Sequence, residues 1–287
     1  MEKAAVIGLG TMGAGIAQVL LQAGYSVVGV ENEEGRLKAG LARVRSGLEK
    51  ALEKGKITKA DMDAAAGRLT GATSTQDGCR GADLVIEAII EDMEAKKVVM
   101  SAAEQAAKPD AILGTNTSSL SITAIATAVK TPARVVGLHF FNPVPAMALV
   151  EVVRGERTDE NTVERSRALV KRLGKEAIVV RDSPGFASSR LGVMLGLEAM
   201  RMLEEGVASA EDIDKAMELG YRHPMGPLKL TDLVGLDVRL AIAEHLWKEV
   251  GEQFRPPQIL RRLVRAGKLG RKTGAGFYEY PAENKDR

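Results

Sequence analysis

The chain has 287 residues, of which 45% are hydrophobic and 27% charged, with 40 basic against 38 acidic side chains. This length corresponds to about two domains, and the composition excludes a disordered or collagen-like chain. A formal net charge of +2 is too small to indicate nucleic acid or an anionic membrane as partner. The single cysteine, Cys79, excludes an internal disulfide, and with only three histidines the chain offers no zinc cluster. We therefore expect a cytoplasmic protein that holds no metal.

The first 30 residues have the composition of a membrane-spanning segment. Residues 4–30 carry no charged side chain and follow Lys3, as in a secretory signal or a transmembrane helix. Six glycines interrupt the run, and each glycine costs about 1 kcal/mol in a helix interior. The pattern therefore predicts a buried strand at 4–7, a glycine-rich turn, a helix that ends at Gly24, and a second strand at 26–30.

Strands and helices alternate in the next hundred residues. The predicted elements are helices at 33–54, 59–67 and 93–107, and strands at 83–88 and 111–115. Such alternation indicates a parallel sheet with helices on both faces.

The pattern changes after about residue 134. Two β-rich runs, 135–140 and 149–153, are joined by a turn that contains Pro143 and Pro145. The remaining predictions are a helix at 159–173, a strand at 177–180, turn residues at 181–185, and then only helices, at 186–204, 210–219, 228–250 and 257–266. We expect an α/β Rossmann-type domain at 1–182 and an all-α domain at 183–287.

A Gly-x-Gly-x-x-Gly motif lies between the first strand and the first helix. In this context Gly8 permits the tight turn, Gly10 lets a pyrophosphate approach the backbone, and Gly13 brings helix and strand close together. Glu31 ends the second strand, where a carboxylate accepts hydrogen bonds from ribose hydroxyls and repels a 2′-phosphate, which favours NAD over NADP. The alternative is a glycine-rich turn that binds nothing. The residues assigned to the cofactor here are Gly8, Gly10, Thr11, Met12, Gly13 and Glu31.

His139 lies near the end of one apolar run and Glu151 in the middle of the next. A lone histidine there is usually a core residue, but a carboxylate within an apolar strand is costly without a partner. The proline-containing turn can fold the two runs side by side, which makes His139 the partner of Glu151. Such a carboxylate fixes the imidazole tautomer and favours its protonated form. The pair suits a general base that takes a hydroxyl proton while hydride leaves for NAD.

Seven segments together resemble the short-chain L-3-hydroxyacyl-CoA dehydrogenases, including bacterial 3-hydroxybutyryl-CoA dehydrogenases. They run in the family's order from residue 4 to residue 280: GLGTMGAGIAQ, DLVIEAIIED, TNTSSLSI, GLHFFNPVP with LVEVV, DSPGF, the YRHPMGP region, and GRKTGAGFYEY. HFFNPVP followed by the glutamate is the specific signature among them.

The resemblance implies roles at the matching positions. His139 is implied as the catalytic base and Glu151 as its partner, and Ser118 as the serine that hydrogen-bonds the substrate's 3-oxygen. Ser118 can equally be a strand-to-helix cap residue. The family's contacts to NAD fall on Glu91, Lys96, Asn116, Asn142 and Lys272. Without the resemblance, Glu91 and Lys96 read as an ordinary helix face and Lys272 as a solvated loop lysine.

The sequence departs from the family's pattern at three places. Ser189 stands where an asparagine of the active site is usual, and it reaches less far. Glu31 stands where an aspartate is usual, which leaves the NAD preference intact. Lys54 matches a lysine that meets the CoA phosphate in relatives, but Gly47 replaces the serine used with it.

The expected reaction is the reversible oxidation of an (S)-3-hydroxyacyl-CoA, above all 3-hydroxybutyryl-CoA, with NAD. Fatty-acid β-oxidation, butanoate metabolism and phenylacetate breakdown all use this chemistry, so the pathway stays open. The expected partners are the acyl-CoA substrate and a second copy of the chain, joined through the helical domain, with neither nucleic acid nor membrane. Two alternatives remain at this point. One is a dehydrogenase of a free hydroxy acid, of the carnitine or gulonate type, and the other is an NAD-binding protein without catalysis.

Overall fold

The computed structural model describes residues 2–280, and the chain divides into two compact units after Ser183. The first unit combines a sheet with helices, and the second is helical. Both observations confirm the predicted fold class. Within residues 2–280 no helix has the length and apolar character needed to cross a membrane.

An eight-stranded sheet forms the centre of the first unit, in the order β3-β2-β1-β4-β5-β6-β7-β8. The strands are β1 (Lys3–Ile7), β2 (Ser26–Val30), β3 (Leu69–Ala72), β4 (Leu84–Glu87), β5 (Ile112–Thr115), β6 (Val135–Phe140), β7 (Leu149–Arg154) and β8 (Glu176–Arg181). All neighbouring strands are parallel except β6 and β7, which are antiparallel. Parallel pairing requires a crossover between consecutive strands, and helices provide most of these.

The helices of the first unit are α1 (Thr11–Gln22), α2 (Glu34–Glu53), α3 (Lys59–Gly67), α4 (Thr75–Cys79), α5 (Met93–Ala106), α6 (Ile122–Ile125) and α7 (Glu160–Arg172). Every residue of β4, β5 and β6 is buried. Full burial explains why these strands read as continuous apolar runs, and each buried Val, Leu or Ile contributes about 1.5–3 kcal/mol.

Strand β3 and helix α4 were not predicted from the sequence. Strand β3 is one of the two edge strands of the sheet. Because only Leu69 among its four residues is buried, its sequence contains no apolar run. Helix α4 has five residues, and its capping side chain, Ser74, reads equally well as a turn.

The second unit contains α8 (Ser188–Glu204), α9 (Ala210–Lys215), α10 (Pro227–Val234), α11 (Leu236–Glu249) and α12 (Gln258–Arg265). The predicted single helix at 228–250 is wrong, because α10 and α11 are separate helices that meet at Gly235. The φ angle of Gly235 is +103°, a conformation that other residues rarely adopt and that ends α10. Beyond α9, residues Ala216–Gly220 form a π-helical turn rather than a continuation of the α-helix.

Candidate active site

Several residues of the candidate site in the first unit lie at the carboxyl ends of the parallel strands. Gly8 follows β1, Glu31 follows β2, Glu87 ends β4 and Thr115 ends β5. His139 lies near the end of β6, which is parallel to β5. In open α/β sheets, ligands bind in the crevice outside these carboxyl ends.

The three motif glycines have different surroundings. Gly8 has a φ angle of +88°, and a Cβ on Gly13 would lie 1.7 Å from the Gly8 carbonyl oxygen, so α1 and β1 can approach only without that side chain. A Cβ on Gly10 would meet no atom within 4 Å. Gly10 precedes α1, and its side of the helix N-terminus therefore offers open space for an anionic group.

Glu31 is held against the glycine loop. Its Oε1 accepts a hydrogen bond of 2.6 Å from the backbone N–H of Leu9. This bond fixes the orientation of the Glu31 carboxylate beside the loop. The Arg43 guanidinium donates to the Leu9 carbonyl oxygen, which fixes the loop from the α2 side.

The structure brings His139 and Glu151 together. The antiparallel register of β6 and β7 places the two residues directly opposite each other, and the His139 Nδ1 lies 2.6 Å from the Glu151 Oε2. The Glu151 side chain is fully buried and the His139 side chain is 8% exposed. The ring of Phe141 lies against the imidazole, with 4.6 Å between the ring centroids.

Asn116 connects the ends of three strands. Its backbone N–H donates to the Glu87 carbonyl oxygen at 2.8 Å, and its Oδ1 accepts from the Phe140 N–H at 2.9 Å. The side chain therefore fixes the backbone immediately after His139.

A buried ion pair at the end of β4 was not anticipated. The Lys96 Nζ lies 2.6 Å from the Glu87 Oε1, and both side chains are fully buried. Glu91 precedes α5, since that helix begins at Met93, so the ordinary helix face expected for Glu91 and Lys96 without the resemblance is wrong. The missed signal for Glu87 is an acid that ends an otherwise apolar strand.

Glu91 organises the loop that carries Ser118. Its Oε1 accepts from the hydroxyl group of Thr117, from the Ser118 N–H at 3.0 Å and from the Ser118 hydroxyl at 3.4 Å. Its Oε2 lies 3.3 Å from the Lys96 Nζ. Partial burial would raise the pKa of Glu91, but the Lys96 charge and the donors of Thr117 and Ser118 outweigh it and hold the pKa below its ordinary value.

A second lysine supports the turn between β6 and β7. The Lys175 Nζ donates to the carbonyl oxygens of Val144 and Met147, both at 2.6 Å. Burial lowers the pKa of Lys175. Asn142 lies in this turn, exposed, and the Asn142–Pro143 peptide bond is cis.

The remaining predicted residues are distributed over both units. In the first unit Lys54 is exposed at the end of α2, and a Cβ on Gly47 would lie 2.3 Å from the Gln18 Oε1. In the second unit Ser189 lies in the first turn of α8. Lys272 pairs with both carboxylate oxygens of Asp237, at 2.6 and 2.7 Å, and is not simply solvated.

Comparison with known proteins covers both units. The model of the 3-hydroxyacyl-CoA dehydrogenase NAD binding domain matches residues 3–183, and that of the C-terminal domain matches residues 185–280. The chain belongs to the 3-hydroxyacyl-CoA dehydrogenase family. It is therefore an NAD-dependent oxidoreductase, as the resemblance implied.

Individual relatives agree with the family models over nearly the full length. The chain is 45% identical to a probable 3-hydroxybutyryl-CoA dehydrogenase of Deinococcus radiodurans, over 97% of this chain and 100% of that one. It is also 45% identical to a 3-hydroxybutyryl-CoA dehydrogenase of Clostridioides difficile, over 97% and 99% of the two chains. The crystal structure of (S)-3-hydroxybutyryl-CoA dehydrogenase from Ralstonia eutropha superimposes with a TM-score of 0.92 at 42% identity, covering 98% and 99%.

The glycine loop of this 3-hydroxyacyl-CoA dehydrogenase fits the dinucleotide of its family. The open space at Gly10 and the N-terminus of α1 suit a pyrophosphate, and the Glu31 carboxylate suits a ribose with free hydroxyls. Within residues 2–280 no group of three or more His, Cys, Asp or Glu side chains is arranged to hold a metal ion.

Proposed function

We propose that this dehydrogenase interconverts (S)-3-hydroxyacyl-CoA and 3-ketoacyl-CoA reversibly, with a His139–Glu151 dyad as its general base. The observation that carries the proposal is the 2.6 Å contact between the His139 Nδ1 and the Glu151 Oε2 at the carboxyl edge of the sheet. NAD, when bound, supplies the hydride acceptor. The protein supplies orientation, proton transfer and electrostatic stabilisation.

The dyad geometry supports this assignment of the proton. With Nδ1–H donating to the carboxylate, the acid–base role falls to Nε2, which takes the proton of the substrate's 3-hydroxyl group. The imidazolium that forms is stabilised by the buried Glu151 charge, because water cannot screen that pair. Proton transfer of this kind is worth about 10²- to 10⁴-fold in rate.

Ser118 and Ser189 complete the proposed catalytic set. Ser118 orients the substrate's 3-oxygen by a hydrogen bond, and its loop is held by Glu91. Ser189, on α8, is assigned an assisting role because it stands at the position of the family's asparagine. Asn116 and Asn142, which follow β5 and β6, are proposed to position the nicotinamide end of the cofactor.

The remaining assignments are proposals of the same kind. The adenosine and pyrophosphate contacts are assigned to Gly8, Gly10, Thr11, Met12, Gly13 and Glu31. Glu91, Lys96 and Lys272 are assigned to the cofactor pocket, and Lys54 to the CoA phosphates. The preference for NAD over NADP rests on the Glu31 carboxylate, which would repel a 2′-phosphate.

The substrate proposed first is 3-hydroxybutyryl-CoA, since the relatives described above carry this name. We propose residues 1–182 as the cofactor domain and 183–287 as the substrate and dimerisation domain. Leu191 on α8 is 72% exposed and is a candidate contact for a second copy of the chain. A cytoplasmic location and a place in β-oxidation belong to the same proposal.

The test is NADH oxidation at 340 nm with acetoacetyl-CoA, run in parallel with free acetoacetate and with NADPH. Turnover with the thioester and NADH alone is the expected result. Turnover with the free acid alone would overturn the CoA assignment, and the space taken by Gln18 at Gly47 would then explain a missing CoA anchor. Binding of NADH without any turnover would indicate a protein that has lost catalysis.

A further inference from the structure

We propose that Glu87 is a positioning residue that fixes the positions of His139 and Ser118 relative to each other. The inference rests on the proposed function of His139 and Ser118, because it assigns Glu87 the task of placing these two residues. Glu87 itself lies at the end of β4 and reaches them only through other residues.

Both carboxylate oxygens of Glu87 and its backbone carbonyl oxygen accept hydrogen bonds. Its Oε1 accepts from the Ile89 N–H at 2.7 Å and from the Lys96 Nζ at 2.6 Å, and its Oε2 accepts from the Thr115 hydroxyl at 2.6 Å. Its carbonyl oxygen accepts from the Asn116 N–H at 2.8 Å. A fully buried carboxylate must replace its lost hydration with such donors, so the positions of Ile89, Lys96 and Thr115 are tied to it.

The first connection leads to His139. Thr115, which donates to the Glu87 carboxylate, ends β5, and Asn116, whose N–H donates to the Glu87 carbonyl oxygen, begins the loop beyond it. The Asn116 Oδ1 in turn accepts from the Phe140 N–H at 2.9 Å. Phe140 is the residue after His139, so this chain of contacts fixes the end of β6 against the ends of β4 and β5.

The second connection leads to Ser118. The Lys96 Nζ lies between two carboxylates, at 2.6 Å from the Glu87 Oε1 and 3.3 Å from the Glu91 Oε2. The Glu91 Oε1 then accepts from the Ser118 N–H at 3.0 Å. Because Lys96 is fully buried, the Glu87 charge determines where the ammonium sits, and the ammonium determines where Glu91 holds the Ser118 loop.

A neighbouring ion pair shows what a merely structural carboxylate does in the same unit. Glu104, which lies on α5 as Lys96 does, accepts from the N–H groups of Lys130 and Thr131 and pairs with Arg134 at 3.2 Å. Its side chain is 8% exposed, and its contacts involve none of the strand-end residues. Glu104→Gln is therefore the matched control for Glu87→Gln.

The first measurement is hydrogen–deuterium exchange of the cofactor-free protein, followed in peptides that cover residues 115–121 and 139–148. Glu87→Gln keeps the shape of the side chain and removes its charge. We expect exchange in both segments to become several-fold faster, and Glu104→Gln to leave both segments unchanged while exchange rises at 130–131. This measurement requires no substrate and no cofactor.

The second measurement is the kinetics with acetoacetyl-CoA and NADH. Misplacement of reacting groups by about 1 Å can cost around 10²-fold, so we expect Glu87→Gln to lower kcat at least about tenfold. We expect KM for the thioester to change less than kcat, because the proposed fault lies in orientation and not in binding. Glu104→Gln should keep the wild-type kcat.

The outcomes separate this inference from the proposed function. Wild-type exchange and wild-type kcat in Glu87→Gln would overturn the positioning role. Faster exchange in Glu87→Gln, with no turnover of the thioester by the wild-type protein, would overturn the proposed function and keep the role of Glu87 in holding the two loops.

If Glu87→Gln does not yield folded protein, the same two measurements on Thr115→Val test the inference. That variant removes one donor to Glu87 and keeps the buried charges paired. Faster exchange at 115–121 with a lowered kcat supports the inference, and wild-type values for both overturn it.

Discussion

The side chains of His139 and Glu151 meet across the antiparallel strand pair of a sheet whose other pairings are parallel, with 2.6 Å between Nδ1 and Oε2. Reversal of the chain at residues 141–148 is what allows this. In the observed register Glu151, the third of six residues in β7, lies directly opposite His139, the fifth of six in β6. The antiparallel strand thus delivers a buried carboxylate to the edge where the cofactor motif lies.

This pair gives the first prediction. His139→Gln should lower kcat by about 10²- to 10⁴-fold, the usual contribution of a general base, because an amide cannot take the hydroxyl proton. Glu151→Gln should lower kcat less, since its amide oxygen can still accept from Nδ1–H while the charge that stabilises the imidazolium is gone. The measurement is steady-state turnover of acetoacetyl-CoA, with NADH affinity followed by fluorescence and expected to stay near the wild-type value.

The control for this prediction is His245→Gln, on α11, which should keep full activity. A near-normal rate in His139→Gln would refute the assignment of His139 as the general base.

The second prediction concerns the open space at Gly10. Gly10→Ala introduces a methyl group that meets no protein atom within 4 Å, at a φ angle of −63° that alanine readily adopts. We expect a change in unfolding free energy below about 1 kcal/mol, as for weak helix-capping changes, but NADH binding weakened by at least about tenfold because the methyl group fills the space assigned to the pyrophosphate. Calorimetric titration with NADH and a thermal melt check the two halves.

Gly35→Ala is the control for that substitution, because a Cβ there also meets no atom within 4 Å and Gly35 lies on α2, away from the glycine motif. It should leave NADH affinity unchanged. Equal NADH affinity in Gly10→Ala and the wild-type protein would show that the pyrophosphate does not lie against Gly10.

The elements that could be predicted from the sequence are those marked by a pattern within a few neighbouring residues. The strand–glycine–helix unit at residues 4–22 and the pairing of His139 with Glu151 could be anticipated, because apolar periodicity, glycine spacing and one misplaced acid each leave a mark within a few residues. The break at Gly235 was missed because a glycine within an amphipathic run costs only about 1 kcal/mol. Its φ angle of +103° favours glycine, and a Cβ there would also lie 3.0 Å from the Asp237 Oδ1.

The network around Glu87 could not be anticipated for a related reason. Its members, Glu87, Lys96 and Thr115, come from two strands and one helix, and only the strand order β4-β5 with α5 packed beside them brings their side chains together. A lysine on a helix is solvent-exposed in most proteins. Full burial of Lys96 depends on two carboxylates supplied by other segments, which no window of sequence around Lys96 can show.

The third prediction follows from the lowered pKa of Glu91. A carboxyl group whose pKa is lower in the folded than in the unfolded protein stabilises the fold above the unfolded value, about 4.3 for glutamate, and this contribution is lost as the pH falls through the folded value. Glu91→Gln should therefore lower the melting temperature most at pH 5 and above, and the difference from wild type should shrink towards pH 3. The measurement is a series of thermal melts between pH 3 and pH 7.

Glu94→Gln is the comparison for this series. Glu94 lies three residues away, is 78% exposed and pairs with Lys97, so its substitution should give a smaller difference than Glu91→Gln. A difference for Glu91→Gln that is constant over the whole pH range would show that the hydrogen bonds of its side chain, rather than its charge, stabilise the Ser118 loop.

The fourth prediction tests why Gly47 departs from the family's serine. Gln18 occupies the space beside Gly47: its Nε2 donates to the Gly47 carbonyl oxygen at 3.0 Å, and a Cβ on Gly47 would lie 2.3 Å from its Oε1. Gly47→Ser alone should therefore displace the Gln18 amide and lower the unfolding free energy by about 1 kcal/mol, the net worth of one hydrogen bond.

The double substitution Gln18→Ala with Gly47→Ser removes this conflict and leaves room for the serine hydroxyl. If the hydroxyl reaches the CoA phosphate, KM for acetoacetyl-CoA should fall by about tenfold or more, since a hydrogen bond to a charged group contributes about 1.5–3 kcal/mol. The matched control is Gln18→Ala with Gly47→Ala, which has the same space without the hydroxyl. Equal KM values in the two double variants would place the CoA phosphates away from this face of α2, and Lys54 would then lose its assignment as well.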